Sequence, residues 1–262
     1  MQDPLRERVA SSCGVARRHQ PGQVLDIGCG FGDTSQRIAE LVGPEGSVLG
    51  VDAAERFIEK AVEEAEAAGA TNVSFRVADV EAAQFEESFD YAFSRFGTMF
   101  FANPVAALRN VRRALVPGGR LCMVVWRRKT ENEWLYRAEQ VVEQFVEEDP
   151  DSDEPTCGPG PVLMADADVT SQILLNAGFE DVSLQRCDLE FRFGATLDEG
   201  VDMVMALGPA GEVLRLAGDQ AVELRPKIEA ALKQELAEFE QAEGVRSWAS
   251  TWIVGARNLS DG

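Results

Sequence analysis

Short apolar runs alternate along the chain with amphipathic helical segments, and this order leaves few folds open to it. The first pair is QVLDIG and TSQRIAELVG, in which Ile38, Leu41 and Val42 recur at helical spacing before Gly43. The second pair is SVLGVD and AERFIEKAVEEAEAAG, and VSFRVAD is a third strand. Strands that alternate with helices of this length pair in parallel, so the order predicts an α/β fold with a doubly wound sheet.

The pattern continues to residue 128 and then changes. FDYAFSRF and PGGRLCMVVW are two more strands, with the helix PVAALRNVRRAL between them. Residues 129–165 combine the amphipathic stretch EWLYRAEQVVEQFV with an acidic segment rich in proline and glycine, which indicates an inserted cap or lid. Beyond it we predict the helix DVTSQILLNAGF, the strand DVSLQRCDLEFRF, two helical stretches in residues 197–240 and the strand SWASTWIVGAR.

Composition narrows the range of partners. The chain has 45 acidic and 25 basic side chains, and its net charge of −20 repels nucleic acid phosphates and anionic lipid heads. It has neither a signal-peptide pattern nor an uncharged apolar run of about 18 residues. Its five cysteines lack C-x-x-C spacing, which argues against a disulfide framework or a zinc site. We therefore expect a cytoplasmic protein with reduced thiols, no metal, and no nucleic acid or membrane partner.

The turn in VLDIGCGFGDTS raises the question of its ligand. Its glycines are Gly28, Gly30 and Gly32, whereas the dinucleotide fingerprint G-x-G-x-x-G would place its third glycine where Asp33 stands. Asp26 and Asp33 flank the turn with negative charge, which opposes a pyrophosphate and suits a cation. A ligand with an ammonium, a sulfonium and no phosphate meets this demand, and S-adenosylmethionine is such a molecule.

Acidic residues at the ends of the next two strands fit the same ligand. Asp52 ends the second strand, where a carboxylate can accept both ribose hydroxyls, as in other nucleoside-binding α/β folds. Asp79 ends the third strand and can accept the exocyclic adenine amine, while Val80 packs on the ring. Each signal alone is weak, because an acid at a strand end is often a helix cap, but their order is specific.

At this point the chain resembles the class I S-adenosylmethionine-dependent methyltransferases, through VLDIGCGFG, GVD, VADVEAAQF and LRNVRRALVPGGRL. SRFGTMFFANPVAALRNVRRALVPGGRLCMVVWR is similar to the branch that includes the ubiquinone and menaquinone C-methyltransferases. The resemblance implies a Rossmann-like fold, with a single domain over residues 1–262. Within it we expect an N-terminal cap segment (1–20), a cofactor-binding core (21–128), a lid (129–165) and a remainder of sheet and substrate-side helices (166–258), giving seven mostly parallel strands with one late strand antiparallel.

Carried over by position, the resemblance implies roles for individual residues. The methionine part of the cofactor would be held by Asp26 and the turn, and Thr34 could bond its carboxylate. Asp52 would hold the ribose beside Ala53, and Ser94 would lie under the sulfonium side. The full set of cofactor-binding predictions is Asp26, Gly28, Cys29, Gly30, Gly32, Thr34, Asp52, Ala53, Asp79, Val80 and Ser94.

Methyl transfer is an in-line displacement at a sulfonium carbon, so alignment and water exclusion are the main tasks. The only histidine, His19, is either a surface residue or a base in an N-terminal segment that covers the site. No catalytic residue is therefore assigned. Candidates for the acceptor side are Arg95, Met99, Phe100 and Trp126, the alternative being that Arg95 is an ion-pair partner and the others belong to the core.

The stretch VDMVMALGPAGEVLRLAG could roof an apolar acceptor pocket, belong to the core, or form the surface of a homodimer. With the net charge, it leads us to predict a small, largely apolar methyl acceptor. Two other functions stay open: a non-catalytic protein that binds S-adenosylmethionine, and an NAD-dependent oxidoreductase.

Overall fold

The computed structural model describes residues 22–145, 160–206 and 209–259. In these ranges eight strands form one sheet in the order β3-β2-β1-β4-β5-β8-β6, and the short β7 pairs with β8. This is a Rossmann-like sheet, as predicted, with one more strand than the seven expected. The strands are β1 (Gln23–Ile27), β2 (Ser47–Asp52), β3 (Val73–Val77), β4 (Phe89–Arg95), β5 (Leu115–Trp126), β6 (Glu180–Gly194), β7 (Glu240–Gln241) and β8 (Gly244–Arg257).

The helices begin and end close to the predicted positions. Asn103 caps α3 by accepting the Ala106 N–H at 3.0 Å, and Pro104 takes the first helical position. The described residues between 197 and 240 hold three α-helices where two helical stretches were predicted. The helices are α1 (Asp33–Val42), α2 (Glu55–Ala68), α3 (Pro104–Ala114), α4 (Glu133–Glu143), α5 (Ala167–Asn176), α6 (Leu197–Ala206), α7 (Pro209–Leu216) and α8 (Asp219–Leu236).

The parallel strands bring their carboxyl ends to one edge of the sheet. β1 pairs in parallel with both β2 and β4, so that Leu25 lies opposite Leu49 on one side and Ala92 on the other. β3 extends the sheet beyond β2, and β5 extends it beyond β4. The central strands are buried apolar runs, as expected for a sheet covered on both faces. The turns after β1, β2, β3 and β4 therefore meet at one edge, where α/β folds bind ligands.

The chain divides into two compact units. The first contains the chain up to Val125, Asp166–Arg186 and the chain from Trp252 onward, and so includes the turns after β1 to β4. The second contains Trp126–Ala165 and Cys187–Thr251. Much of the predicted lid falls in the second unit, together with α6, α7 and α8. The predicted N-terminal cap segment lies outside the described residues.

The second unit has its own apolar core. Trp134 packs against Phe193 with stacked rings 5.1 Å apart and against Phe191 edge to face at 5.1 Å. Val201 and Val204, from the apolar stretch that could have roofed a pocket, are buried in this core. Their burial favours the core alternative for that part of the stretch.

The cysteines differ from the expectation of uniformly reduced thiols. Cys29 and Cys187 are free and buried, whereas Cys122 in β5 is disulfide-bonded. The prediction was therefore wrong at Cys122, because motif spacing does not show which cysteines come close once the chain has folded.

Candidate functional site

Three glycines shape the turn that follows β1. Gly28, Gly30 and Gly32 have φ angles of 65°, 55° and 78°, a region that L side chains rarely adopt. A Cβ atom on Gly28 would lie 2.8 Å from the Cα atom of Gly97, so the close approach of these two loops requires glycine. A Cβ atom on Gly30 would meet, apart from its chain neighbours, no atom of the described residues within 4 Å. The backbone at Gly30 therefore faces open space that a ligand can occupy.

The turn leads directly into α1. The Gln36 N–H donates to the Gly32 carbonyl at 3.0 Å, which is the first hydrogen bond of this helix. The N–H groups of Asp33, Thr34 and Ser35 have no carbonyl within the helix to bond, and the helix dipole adds positive potential there. The carboxylate of a bound ligand fits such an end. Thr34, predicted to bond this carboxylate, is half-buried in the first turn of the helix.

Asp26 is a buried carboxyl near the end of β1, with 1% of its surface exposed. Its Oδ2 atom accepts a hydrogen bond from the Ser35 hydroxyl at 2.6 Å. Burial raises the pKa of Asp26 to about 7, although the Ser35 hydrogen bond and the charge of Arg95 act to lower it. A cation bound nearby would favour the ionised form of this carboxyl. The contact of Asp26 with a cofactor stays a prediction.

Asp52 joins the end of β2 to the glycine turn. Its Oδ2 atom accepts the Gly30 N–H at 3.0 Å, and its Oδ1 atom accepts the Ala54 N–H at 2.9 Å. Each carboxylate oxygen has a second lone pair, so Asp52 can still accept hydroxyl groups from a ribose. Ala53, next to it, is exposed.

Cys29 contributes its backbone to the turn. The N–H groups of Gly28 and Cys29 donate to the Val51 carbonyl at 2.8 and 3.0 Å, which ties the turn to β2. Burial raises the pKa of the Cys29 thiol well above its usual range, so this thiol is uncharged and a poor nucleophile.

The turn after β3 carries Asp79 and Val80. Asp79 is exposed and accepts the Glu81 N–H at 2.9 Å, whereas Val80 is buried. The side chain of Asn110 on α3 fastens this turn by donating to the Val80 carbonyl at 2.8 Å and to the Ala83 carbonyl at 2.5 Å. The turn predicted to frame an adenine is thus held from a helix that the sequence did not connect with it.

The end of β4 meets the glycine turn at several points. The Ser94 hydroxyl is buried and donates to the Ile27 carbonyl at 2.8 Å. Arg95 forms an ion pair with Asp33 on α1, with Nη2 and Oδ2 2.7 Å apart. Asp33 therefore contributes less negative charge to the turn than the sequence predicts, and the ion-pair alternative for Arg95 is observed.

The chain leaves β4 through a strained residue. Phe96 has a φ angle of 62°, in the left-handed region that non-glycine residues seldom occupy, and its N–H donates to the Val124 carbonyl at 2.9 Å. Gly97 follows, packed against Gly28. Strain of this kind persists where the surrounding structure holds it and often accompanies functional sites.

The residues predicted to face the methyl acceptor differ in their exposure to solvent. Met99 is 1% exposed, which favours its core alternative, whereas Phe100 is 55% exposed. Phe31, inside the glycine turn, is also 54% exposed and packs edge to face on Phe57, with ring centroids 4.7 Å apart. Trp126 belongs to the second unit, where its ring lies 5.9 Å from that of Trp134.

Sequence reasoning missed Ser35, Gly97 and Asn110, which hold the turns of the site together. A weak signal existed for Asn110, an amide on the side of an amphipathic helix that otherwise buries Leu108 and Val111. Ser35 and Gly97 carried no usable signal, since their partners are distant in sequence or on another element.

Neither a metal-binding cluster nor a membrane-spanning helix occurs in the parts of the chain that the structure describes. Among these residues, no group of three or more His, Cys, Asp or Glu side chains could hold a metal ion. None of the helices there is both long and apolar enough to cross a membrane. His19, the candidate base, lies outside the described residues.

Curated relatives of known function match part of the chain. Aklanonic acid methyltransferase of Streptomyces sp. (strain C5) is 40% identical over 100 residues, which cover 38% of this chain and 46% of that protein. Demethylmenaquinone methyltransferase of Staphylococcus aureus (strain JH9) is 35% identical over 115 residues, covering 44% of this chain and 46% of that protein. The chain thus spans just under half the length of these curated relatives.

Similarity in three dimensions covers nearly the whole chain. The crystal structure of the YcgJ protein from Bacillus subtilis superposes with a TM-score of 0.63 at 17% identity, covering 97% of this chain and 99% of that chain. This likeness supports the fold. A family model described as a methyltransferase domain matches residues 19–158, more than half of the sequence. The predicted resemblance is confirmed, and the chain belongs to the methyltransferase domain family.

Proposed function

We propose that the protein transfers a methyl group from S-adenosylmethionine to a small, largely apolar acceptor. The observation that carries this proposal is the hydrogen bond from the Gly30 N–H to the Asp52 carboxylate. It joins the open glycine turn to an acid that can accept ribose hydroxyls. A nucleoside with an amino acid end fits along this path, because the donor groups of α1 begin directly after the turn.

The charge of the site supports a cationic ligand. Asp26 and Asp52 bring two carboxyl groups to the turn, and Asp33 is compensated by Arg95. S-adenosylmethionine carries an ammonium and a sulfonium and has no phosphate. The same carboxylates would repel the pyrophosphate of NAD, which disfavours an NAD-dependent oxidoreductase.

The protein's part in the reaction is to align the methyl donor with the acceptor and to exclude water from them. When bound, S-adenosylmethionine supplies a methyl group on a sulfonium, and attack on the methyl carbon breaks its bond to sulfur and leaves a neutral thioether. We assign the amino acid end to Asp26 and the amides of α1, the ribose to Asp52, and the adenine to Asp79 and Val80. Such positioning can supply much of the rate enhancement, and a base is needed only if the acceptor must first lose a proton.

A small apolar acceptor has support from three sides. The relatives' names give aklanonic acid and demethylmenaquinone as their acceptors, and both are small molecules. Phe31 and Phe100 expose aromatic surface on the turns after β1 and β4, which suits apolar contact. The net charge of −20 disfavours nucleic acid. A cytoplasmic location and a homodimer stay predictions within this proposal.

Calorimetric titration with S-adenosylmethionine tests the cofactor part. Replacing Asp52 with alanine removes an anionic acceptor worth about 1.5–3 kcal/mol, so we expect affinity to fall by roughly 10- to 150-fold. Asp90→Ala is the matched control, because Asp90 accepts the Gln23 N–H at 2.9 Å at the other end of β1. Equal affinity in the wild type and Asp52→Ala would contradict the assignment.

Turnover separates the remaining alternatives. The wild type is incubated with methyl-labelled S-adenosylmethionine and a panel of quinones and aromatic polyketides, with tRNA and DNA as comparison acceptors. Label in a small apolar product supports the proposal. Tight cofactor binding without product in any arm would favour a non-catalytic binding protein, and label found only in nucleic acid would refute the acceptor class.

A further inference from the structure

An aromatic pair joins the glycine turn to the first turn of α2. Phe31 lies between Gly30 and Gly32, and its ring packs edge to face on the ring of Phe57, with the centroids 4.7 Å apart. The guanidinium of Arg56 lies over the Phe57 ring, 5.2 Å from its centroid, in a cation–π contact. The Phe57 ring therefore has two partners, one in the glycine turn and one on its own helix.

The two segments that carry these rings are also the two that hold Asp52. Its Oδ2 atom accepts the Gly30 N–H at 3.0 Å, one residue before Phe31, and its Oδ1 atom accepts the Ala54 N–H at 2.9 Å. Ala54 directly precedes α2, and its carbonyl accepts the Phe57 N–H at 2.9 Å. The hydrogen bonds of Asp52 and the ring contact thus form a closed circuit through the turn and the helix.

We propose that Phe31 and Phe57 are positioning residues that orient the Asp52 carboxylate toward the ribose of the methyl donor. This inference rests on the proposed function. The two carboxylate oxygens keep their backbone partners only while the Gly30 and Ala54 N–H groups stay at a fixed spacing. The remaining lone pairs of these oxygens then point in fixed directions, which two neighbouring ribose hydroxyls can meet.

The ring contact acts on the middle of the turn, whereas β2 holds its beginning. The N–H groups of Gly28 and Cys29 donate to one carbonyl of β2. Gly30 is the next residue, and glycine has wide backbone freedom. A side-chain anchor directly after it, at Phe31, therefore limits how far the Gly30 N–H can turn away from Asp52.

Calorimetric titration with two ligands tests this inference: S-adenosylmethionine and an analogue of it that lacks both ribose hydroxyls. The ratio of the two affinities measures what Asp52 contributes through the ribose. We expect Phe31→Ala and Phe57→Ala each to lower the affinity for S-adenosylmethionine about two- to tenfold, the loss that one aromatic pair predicts. The affinity for the analogue should stay unchanged. Phe31→Ala combined with Asp52→Ala should bind S-adenosylmethionine as Asp52→Ala alone does, because the two residues act through one contact.

Three further variants serve as controls. Phe31→Tyr retains a ring for the contact and should keep both wild-type affinities. Phe57→Leu retains apolar volume without a ring, and should lower the affinity for S-adenosylmethionine as Phe57→Ala does. Val62→Ala removes a 38% exposed apolar side chain from the same helix and should change neither affinity. Thermal unfolding of each variant checks that the chain is folded at the temperature of the titration.

The outcomes distinguish this inference from the proposed function. If the wild type binds neither ligand, the proposed function fails. If the wild type binds S-adenosylmethionine and the aromatic variants keep its affinity, the positioning role is overturned while the proposed function stands. An equal loss for the two ligands would also overturn it, because Phe31 would then contact the nucleoside directly or the whole turn would be distorted.

Discussion

Replacing Gly28 with alanine should lower the free energy of unfolding in two ways, through backbone strain and through a steric clash. The first is conformational, since the φ angle of Gly28 is 65°, and a left-handed L residue costs roughly 1–2 kcal/mol. The second is steric, because the new Cβ atom would lie 2.8 Å from the Cα atom of Gly97, which is backbone and has no rotamer to change. Overpacking of this kind costs about 1–3 kcal/mol more. We therefore expect Gly28→Ala to lose about 2–5 kcal/mol of stability.

Gly69 and Gly30 supply matched controls. Gly69 ends α2 with a φ angle of 67°, and a Cβ atom there would meet nothing within 4 Å, so Gly69→Ala carries the conformational cost alone. For a chain of this length, each kilocalorie corresponds to roughly 2–4 °C in Tm. Gly30→Ala should resemble Gly69→Ala in stability, yet it should weaken S-adenosylmethionine, because its Cβ atom would enter the space assigned to the ligand.

Thermal unfolding and urea titration of the three variants measure the stability differences, and calorimetry measures cofactor affinity. The expected order of destabilisation places Gly28→Ala well beyond Gly69→Ala and Gly30→Ala. Equal destabilisation at Gly28 and Gly69 would refute the reasoning about the contact with Gly97. Unchanged cofactor affinity in Gly30→Ala would instead show that the cofactor does not occupy the open space beside Gly30.

Three other predictions concern pH and side chains that hold turns. The pKa of Asp26 is about 7 in the folded protein against a usual 3.8, so its contribution to stability is present below about pH 4 and is lost as the pH rises through 7. This dependence amounts to up to about 4 kcal/mol in the free energy of unfolding. Urea titrations at several pH values should show that Asp26→Asn removes it. A cation that pairs with ionised Asp26 should bind more tightly as the pH rises from 6 to 8, and a cofactor affinity independent of pH in calorimetry would contradict that pairing. Asn110→Ala should release the turn at Val80 and lower the affinity for S-adenosylmethionine about three- to tenfold. Asn72→Ala is the control, because the Asn72 amide binds three carbonyls away from the site, those of Ala39, Gly43 and Gly46. It should lower Tm and leave the affinity of the folded protein unchanged.

The sequence predicted the sheet and the turns at its carboxyl edge because both depend on local patterns. Apolar runs that end in glycine or aspartate mark buried parallel strands and their carboxyl ends, and Asp26, Asp52 and Asp79 lie at or just after the ends of β1, β2 and β3. The rules for parallel connections limit the possible orders of these strands but do not select one of them. The positions of these turns could thus be predicted from residues that are close together in the sequence.

Contacts between distant residues could not be predicted in this way. Arg95 and Asp33 are 62 positions apart, and neither residue type indicates that the other is its partner. The same holds for Asn110, whose amide bonds a turn 30 residues earlier. Burial was equally hidden: Met99 and Phe100 are neighbours with similar hydrophobicity, yet Met99 is buried and Phe100 is exposed. Such outcomes depend on how the elements pack, which a single sequence does not record.

The place of β8 in the sheet has a consequence for how the protein is made. β8 lies between β5 and β6, although β6 ends at Gly194 and β8 begins only at Gly244. At a synthesis rate of 5–20 residues per second, β6 emerges from the ribosome roughly 3–10 s before its neighbour exists. During that interval the edges of β5 and β6 are open to mispairing, so a chaperone that shields strand edges should raise the yield of folded chain.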